Sequence, residues 1–179
     1  MRPDPQALLG TAFHDWVQRF YGADRLFDLD DIPGAVDGGH GTTDAEALAD
    51  LQAAFMASPW AARTPVDIEV PFEMMIGDRV VRGRIDAIFA DADGGFTVVD
   101  WKTGAAPADP QAGRAAAIQL AVYRMAWAAL HGCPEEAVRG AFHYVRTGQT
   151  VAPQDLPAAE ELAELLAAEE PSVRTADGP

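Results

Sequence analysis

The sequence predicts an α/β protein in which a central β-sheet is flanked by helices, and three observations carry that expectation. Apolar residues recur at helical spacing before residue 21 and again over residues 115–130. Three strand-like runs lie between these stretches and a fourth follows, so the order reads helix, three strands, helix, strand. With 179 residues and 49% hydrophobic composition, the chain can bury one core of ordinary size, and a single domain over residues 1–179 is expected.

Leu9, Phe13, Trp16, Val17 and Phe20 share one helical face, which predicts an amphipathic helix near residues 8–21. Residues 28–41 are rich in Asp, Gly and Pro and read as a mobile surface loop. Thr43-Asp44-Ala45-Glu46 has the capping-box pattern, and Leu48, Leu51 and Phe55 continue a helical stripe until Ser58-Pro59 stops it. Val66, Ile68, Val70 and Phe72 alternate as in a first strand, which turns Glu69 and Glu73 away from the apolar face, toward a solvated edge as the plainer reading or, as the alternative, toward a metal site as an outlying acid. Val80 to Phe89 and Phe96 to Trp101 are two further strands. Asp91-Ala92-Asp93-Gly94-Gly95 between them tolerates positive φ and makes a hairpin. Ile118, Val122, Met125, Ala126 and Ala129 stripe a helix over 115–130, which Gly132 and Pro134 end. A fourth strand is expected at 141–145 and a short one at 150–152. Leu162, Leu165 and Leu166 mark a last helix, with residues 169–179 as a frayed tail.

The chemistry concentrates in Val98-Val99-Asp100-Trp101-Lys102-Thr103-Gly104. In a strand the side-chain period is two, so Asp100 and Lys102 point the same way. The hairpin brings Asp86, within Gly83-Arg84-Ile85-Asp86, next to them. Taken alone, each charge has an ordinary explanation: Asp100 ends a strand, and Asp86 pairs with Arg82 or Arg84 on a solvated sheet face. Taken together, the acids and the lysine close a strand apolar enough to be buried, and buried charge needs a partner or a metal. Two close carboxylates resist joint ionisation, and a hard divalent ion, Mg²⁺ or Mn²⁺, removes that cost.

Asp86 followed by Asp100-x-Lys102 resembles the signature of the PD-(D/E)xK nuclease superfamily. Gly83-Arg84-Ile85-Asp86, the Val-Val-Asp-Trp-Lys-Thr-Gly string and Gln119-x-x-x-Tyr123 look like its RecB-like branch, as does His14 within Gly10-Thr11-Ala12-Phe13-His14-Asp15-Trp16. The resemblance implies a restriction-endonuclease-like core, α-β-β-β-α-β, with a mixed sheet. It implies that His14, Asp86 and Asp100, with the Trp101 carbonyl, hold the metal for hydrolysis of DNA phosphodiesters, with Asp86, Asp100, Lys102, Gln119 and Tyr123 as catalytic residues. Gln119 and Tyr123, four apart on one helix face, would position the DNA strand or the lysine. A polar edge on a core helix is the plainer reading of that pair.

No Gly-x-x-x-x-Gly-Lys-Ser/Thr phosphate loop occurs, so no helicase motor lies in these residues. The formal net charge of -15 opposes autonomous, tight DNA binding. Much of the acid lies in residues 24–50 and 160–170, away from Lys102, Arg82, Arg84, Arg114, Arg124 and Arg146. Pro3, Pro5 and a family motif starting at residue 10 suggest that Met1 opens a C-terminal fragment of a larger helicase. The expected partners are single-stranded DNA delivered by a helicase motor, and helicase domains of the parent chain or of a partner subunit. The expected role is double-strand-break repair and recombination within a UvrD/RecB-like or AddAB-like helicase-nuclease. A catalytically silent module that binds DNA ends or braces the same complex is one alternative. A small-molecule phosphohydrolase with a closed pocket is another. One cysteine, Cys133, excludes an intramolecular disulfide and a four-cysteine iron–sulfur cluster within the chain. No long apolar run or signal-like start occurs, so a cytoplasmic location away from membranes is expected.

Overall fold

The computed structural model describes residues 4–22 and 42–168. The expected loop at 28–41 and tail at 169–179 lie outside them, as does the side chain of Thr43 in the expected capping box. Helices α1 (Pro5–Gly22) and α2 (Thr42–Met56) precede strands β1 (Asp67–Ile76), β2 (Arg79–Ala90) and β3 (Phe96–Lys102). Helix α3 (Pro110–His131), strands β4 (Val138–Tyr144) and β5 (Gln149–Val151), and helix α4 (Ala159–Ala168) follow. The five strands stand in the order β1-β2-β3-β4-β5. Only β3 and β4 run parallel, as a crossover through α3 requires, and the other neighbours are antiparallel. The sheet is therefore mixed.

Helices cover both faces. On one, Phe13, Val17 and Tyr21 of α1 and Leu51 and Phe55 of α2 pack with Trp60 against Ala87, Phe89, Val99 and Trp101. On the other, α3 and Leu162 of α4 pack against Ile88, Val98 and Val138. The central strand β3 is buried on both faces, which explains why Phe96 to Trp101 reads as an almost unbroken apolar run. The expected hairpin forms: Asp91 N–H donates to the Gly95 carbonyl at 2.9 Å, and Gly94 takes φ 88°.

Helix α3 begins five residues before the predicted boundary. Asp109 caps it by accepting from the Gln111 and Ala112 N–H groups at 2.8 and 3.0 Å, with Pro110 in the first turn. Residues 110–117 carry no apolar stripe, so periodicity alone places the start too late.

The alternation of β1 and β2 breaks halfway. Ile68 and Ala87, partners in the register, pack toward α1 and α2, whereas Val70 and Ile85, two residues away on each strand, pack toward α3. A regular strand would keep residues two apart on one face. The irregularity lies at Glu69, whose φ of 50° is uncommon for a residue with a side chain, and at Asp86 opposite it. The even spacing of Val66, Ile68, Val70 and Phe72 therefore does not describe one buried face, and Val66 is exposed.

Gly83 also has a packing reason. It faces Phe72 across the ladder, and a Cβ at this position would stand 2.7 Å from the Phe72 ring, which packs edge-on against Tyr123. Gly83→Ala should destabilise the fold by about 1–3 kcal/mol through overpacking. Phe72→Leu in the same chain should recover part of that loss, as measured by urea unfolding.

Candidate functional site

Tertiary packing of α1 sets the first member of the site. Helix α1 packs beside the end of β3, where a Cβ at Gly10 would come into contact, at 3.4 Å, with Thr103 Oγ1. One turn later on the same face, His14 Nδ1 comes to 3.5 Å from Asp86 Oδ1. The other oxygen, Asp86 Oδ2, accepts the Trp101 backbone N–H at 2.8 Å. That bond ties the Asp86 carboxylate to β3 at the point where the β2–β3 ladder gives way, beyond the pairing of Ala87 with Val99.

Trp101 is sunk among Tyr21, Phe55, Trp60 and Phe89. Its neighbours Asp100 and Lys102 consequently face the other way, beneath α3. Lys102 Nζ lies 2.8 Å from Asp100 Oδ2 and donates to Gln119 Oε1 at 3.1 Å, and Gln119 Nε2 donates to the Tyr123 hydroxyl at 2.9 Å. Lys102 also stands 5.3 Å from the centre of the Phe142 ring, a cation–π contact. It is the one lysine among 179 residues, against twelve arginines. An ammonium, compact and able to shift its proton affinity, thus stands only where it meets these groups.

The six residues singled out from the sequence fall into two linked sets: His14 with Asp86, and Asp100 with Lys102, Gln119 and Tyr123. Neither Arg82 nor Arg84 pairs with Asp86; they pair with Glu73 and Glu69. Glu69 is the residue that the sequence pattern misplaces. It does not sit on a solvated edge, its side chain is 17% exposed, and one donor atom from each of His14, Glu69 and Asp86 lies within 4.8 Å of the others. Strict alternation puts Glu69 on the outer face, and only the positive φ at this residue turns it inward. The pairing of β1 with β2 passes over it, since Ile68 pairs with Ala87 and Val70 with Ile85, so a period-two reading carries no signal for its position.

The electrostatics match this crowding. Burial, and then the Asp86 charge, push the Asp100 carboxyl up to about 6 against the opposing pull of Lys102. Burial and Asp86 likewise raise Glu69. Burial works to lower the His14 imidazole, but Asp86, with Asp100 and Glu69 behind it, outweighs that effect and the net direction is upward. Burial and the Asp100 charge hold the Tyr123 hydroxyl up at about 12, so it stays protonated.

Two carboxylates and one imidazole, Glu69, Asp86 and His14, form a mostly oxygen donor set, suited to a hard divalent ion such as Mg²⁺ or Mn²⁺, while Asp100 stands paired with Lys102. Neighbouring ligands of such an ion lie about 3 Å apart and opposite ones about 4.2 Å, from metal–oxygen distances of about 2.1 Å. The span of His14, Glu69 and Asp86 fits this with small side-chain movements.

A mixed sheet with a helix on the β3–β4 crossover, and acids gathered where its β2–β3 hairpin opens, is the restriction-endonuclease-like arrangement. Residues 2–177 match the sequence profile of the PD-(D/E)XK nuclease superfamily, and the chain belongs to that family. No curated protein sequence matches it. Among solved structures, a "putative exonuclease" from Eubacterium rectale superposes with a TM-score of 0.60 at 16% identity, covering 94% of this chain. The chain spans 64% of the length of that protein. SSO0001, also 16% identical, covers 90% of this chain and 71% of its own, at a TM-score of only 0.39.

Two expectations follow. With divalent ions chelated, ionising Asp100 works against folding, because its folded pKa near 6 lies above its unfolded value. The associated stability is present below the unfolded value and is lost as pH rises through about 6. Melting temperature should therefore climb more steeply for the wild type than for Asp100→Asn between about pH 7 and about pH 5. At about pH 7 the variant should be the more stable by on the order of 2 kcal/mol. Added Mn²⁺ should raise the wild-type melting temperature, since an ion that binds only the folded chain stabilises it by mass action. His14→Ala and Glu69→Gln should each shrink that rise; equal rises in all three proteins would exclude both side chains as ligands.

Proposed function

We propose that this chain is a Mg²⁺- or Mn²⁺-dependent deoxyribonuclease of exonuclease type. In this reading it is the RecB-like nuclease module of an ATP-dependent helicase-nuclease acting in double-strand-break repair and recombination. The observation that carries the reading is the juxtaposition of His14, Glu69 and Asp86 with the buried Asp100–Lys102 pair. The name of the Eubacterium rectale protein, to which the likeness is one of fold, agrees with the exonuclease type.

His14, Asp86 and Asp100 would hold the ion, with Glu69 completing the oxygen set. A bound divalent ion supplies Lewis acidity and a more acidic bound water, the two requirements for attack on a phosphodiester at neutral pH. The protein's own part is to position and to manage protons. Asp86 is fixed by the Trp101 N–H, so its free oxygen faces His14. Gln119, braced by the Tyr123 hydroxyl, holds Lys102 Nζ beside Asp100. From there the ammonium can orient the attacking water or meet the charge that builds on the phosphoryl oxygens. Its side chain is 35% exposed, so it reaches solvent and substrate while its stem stays packed.

Neither the cavity beside Arg124 and Gly140 nor the one between α3 and α4 is lined by a site carboxylate or Lys102. No described helix is long and apolar enough to cross a membrane. A net charge of -15 favours delivery of single-stranded DNA by a helicase motor of the parent chain or a partner subunit, because affinity for the phosphate backbone is then supplied elsewhere.

Asp100→Ala and Lys102→Ala should each reduce Mg²⁺-dependent degradation of labelled single-stranded DNA by at least about 10²-fold, the usual scale for losing a group that stabilises charge or transfers a proton. Circular dichroism should show both variants folded. Retention of full activity in either would refute the assignment.

A further inference from the structure

In the proposed reading the residues already described would hold a metal and the scissile phosphate, but a polymer strand has phosphates on either side of the one cut. Several described cations are engaged elsewhere. Arg63 and Arg139 are engaged with Asp91, and Arg124 points its Nη2 at the Leu156 and Pro157 carbonyls. Arg84 and Arg146 differ. Arg84 is 62% exposed and meets Glu69 only at 3.6 Å through Nη1. Arg146, in the turn after β4, donates Nε to the Thr103 carbonyl at 2.7 Å, and its two terminal nitrogens have no partner among the described residues.

The fold places these two guanidinium groups on opposite sides of Lys102. Arg84 stands on β2, two residues before Asp86. Arg146 follows β4, where Val145 N–H donates to the Lys102 carbonyl at 3.0 Å. The two arginines thus ride on, or just after, the strands that flank β3 in the sheet. A guanidinium presents a fork of donors matched to phosphate oxygens, and an exposed one is little desolvated before binding.

We propose that Arg84 and Arg146 bind the phosphates flanking the scissile one. The nucleic-acid strand then crosses the sheet from the β1–β2 side, over Lys102, to the β4–β5 turn. This rests on the nuclease reading above and assigns its strand path. Local positive charge at these two points offsets the acidic chain where the backbone runs. A phosphate on Arg84 also draws the guanidinium from Glu69 and leaves that carboxylate to the metal.

The test is the salt dependence of binding, measured by fluorescence anisotropy with the full chain and a labelled single-stranded oligodeoxynucleotide, Ca²⁺ replacing Mg²⁺. Each phosphate contact contributes about 0.7 to the slope of log affinity against log salt. Arg84→Gln and Arg146→Gln should each flatten the slope by about 0.7, and the double variant by about 1.4, with melting temperatures confirming folded proteins. Arg84→Lys and Arg146→Lys should restore the slope. Arg139→Gln, at the far end of β3 beside Thr97, should leave it unchanged. Slopes equal to wild type in both glutamine variants would overturn the strand path. If the wild type still degrades DNA in Mg²⁺ in that case, the nuclease reading stands without it. A wild-type chain that neither binds nor degrades the strand, even at low salt with the oligodeoxynucleotide in large excess, would overturn both.

Discussion

The structure depends on one electrostatic constraint: three carboxylates are gathered within a partly buried patch that has a single lysine to balance them. Asp86 and Asp100 face each other across neighbouring strands, and Glu69 joins them from a third. Like charges in such a place resist ionisation, and the upward shift of Asp100 records the resistance. The chain accepts this arrangement because the surrounding structure leaves the carboxylates little choice. The Trp101 N–H anchors Asp86, and the Trp101 ring, locked in the aromatic cluster beneath α1 and α2, turns Asp100 toward α3. The core thus dictates the geometry of the polar site, and a divalent ion is the natural relief of its charge.

Glu69 shows where that geometry is made. A residue with a side chain at φ 50° costs roughly 1–3 kcal/mol relative to an ordinary strand conformation, and such strain collects at functional sites. Here it reverses the facing of β1 between Ile68 and Val70, so that one hairpin serves both cores. The carboxylate at the reversal has no regular place in the ladder, and it is directed at His14 and Asp86. Local propensity and tertiary demand conflict at this one position, as expected where function is built into a sheet.

The lysine belongs to the same logic. Arginine is the cation everywhere else in the chain, in surface pairs such as Arg82 with Glu73 and Arg139 with Asp91. At position 102 an ammonium, a compact charge with three donors, meets Asp100, Gln119 and the Phe142 ring together.

Helices, strands and the β2–β3 hairpin were legible in the sequence, because apolar periodicity and turn chemistry are local properties. So was the proximity of Asp86 to Asp100 and Lys102, since a short turn fixes the register of the strands on either side. The start of α3 was not, because a cap and a run of alanines leave no apolar stripe to read. Nor was the place of Glu69: period-two alternation assumes every residue in the β region, and one left-handed residue inverts it. His14 depends on how closely α1 packs over Gly10 against Thr103, and the aim of Arg146 on a carbonyl forty-three residues away. By itself the sequence determined on which elements the candidate residues ride, because periodicity and turn chemistry are local. Tertiary structure alone decided which of them meet, because those distances are set by packing between segments remote along the chain.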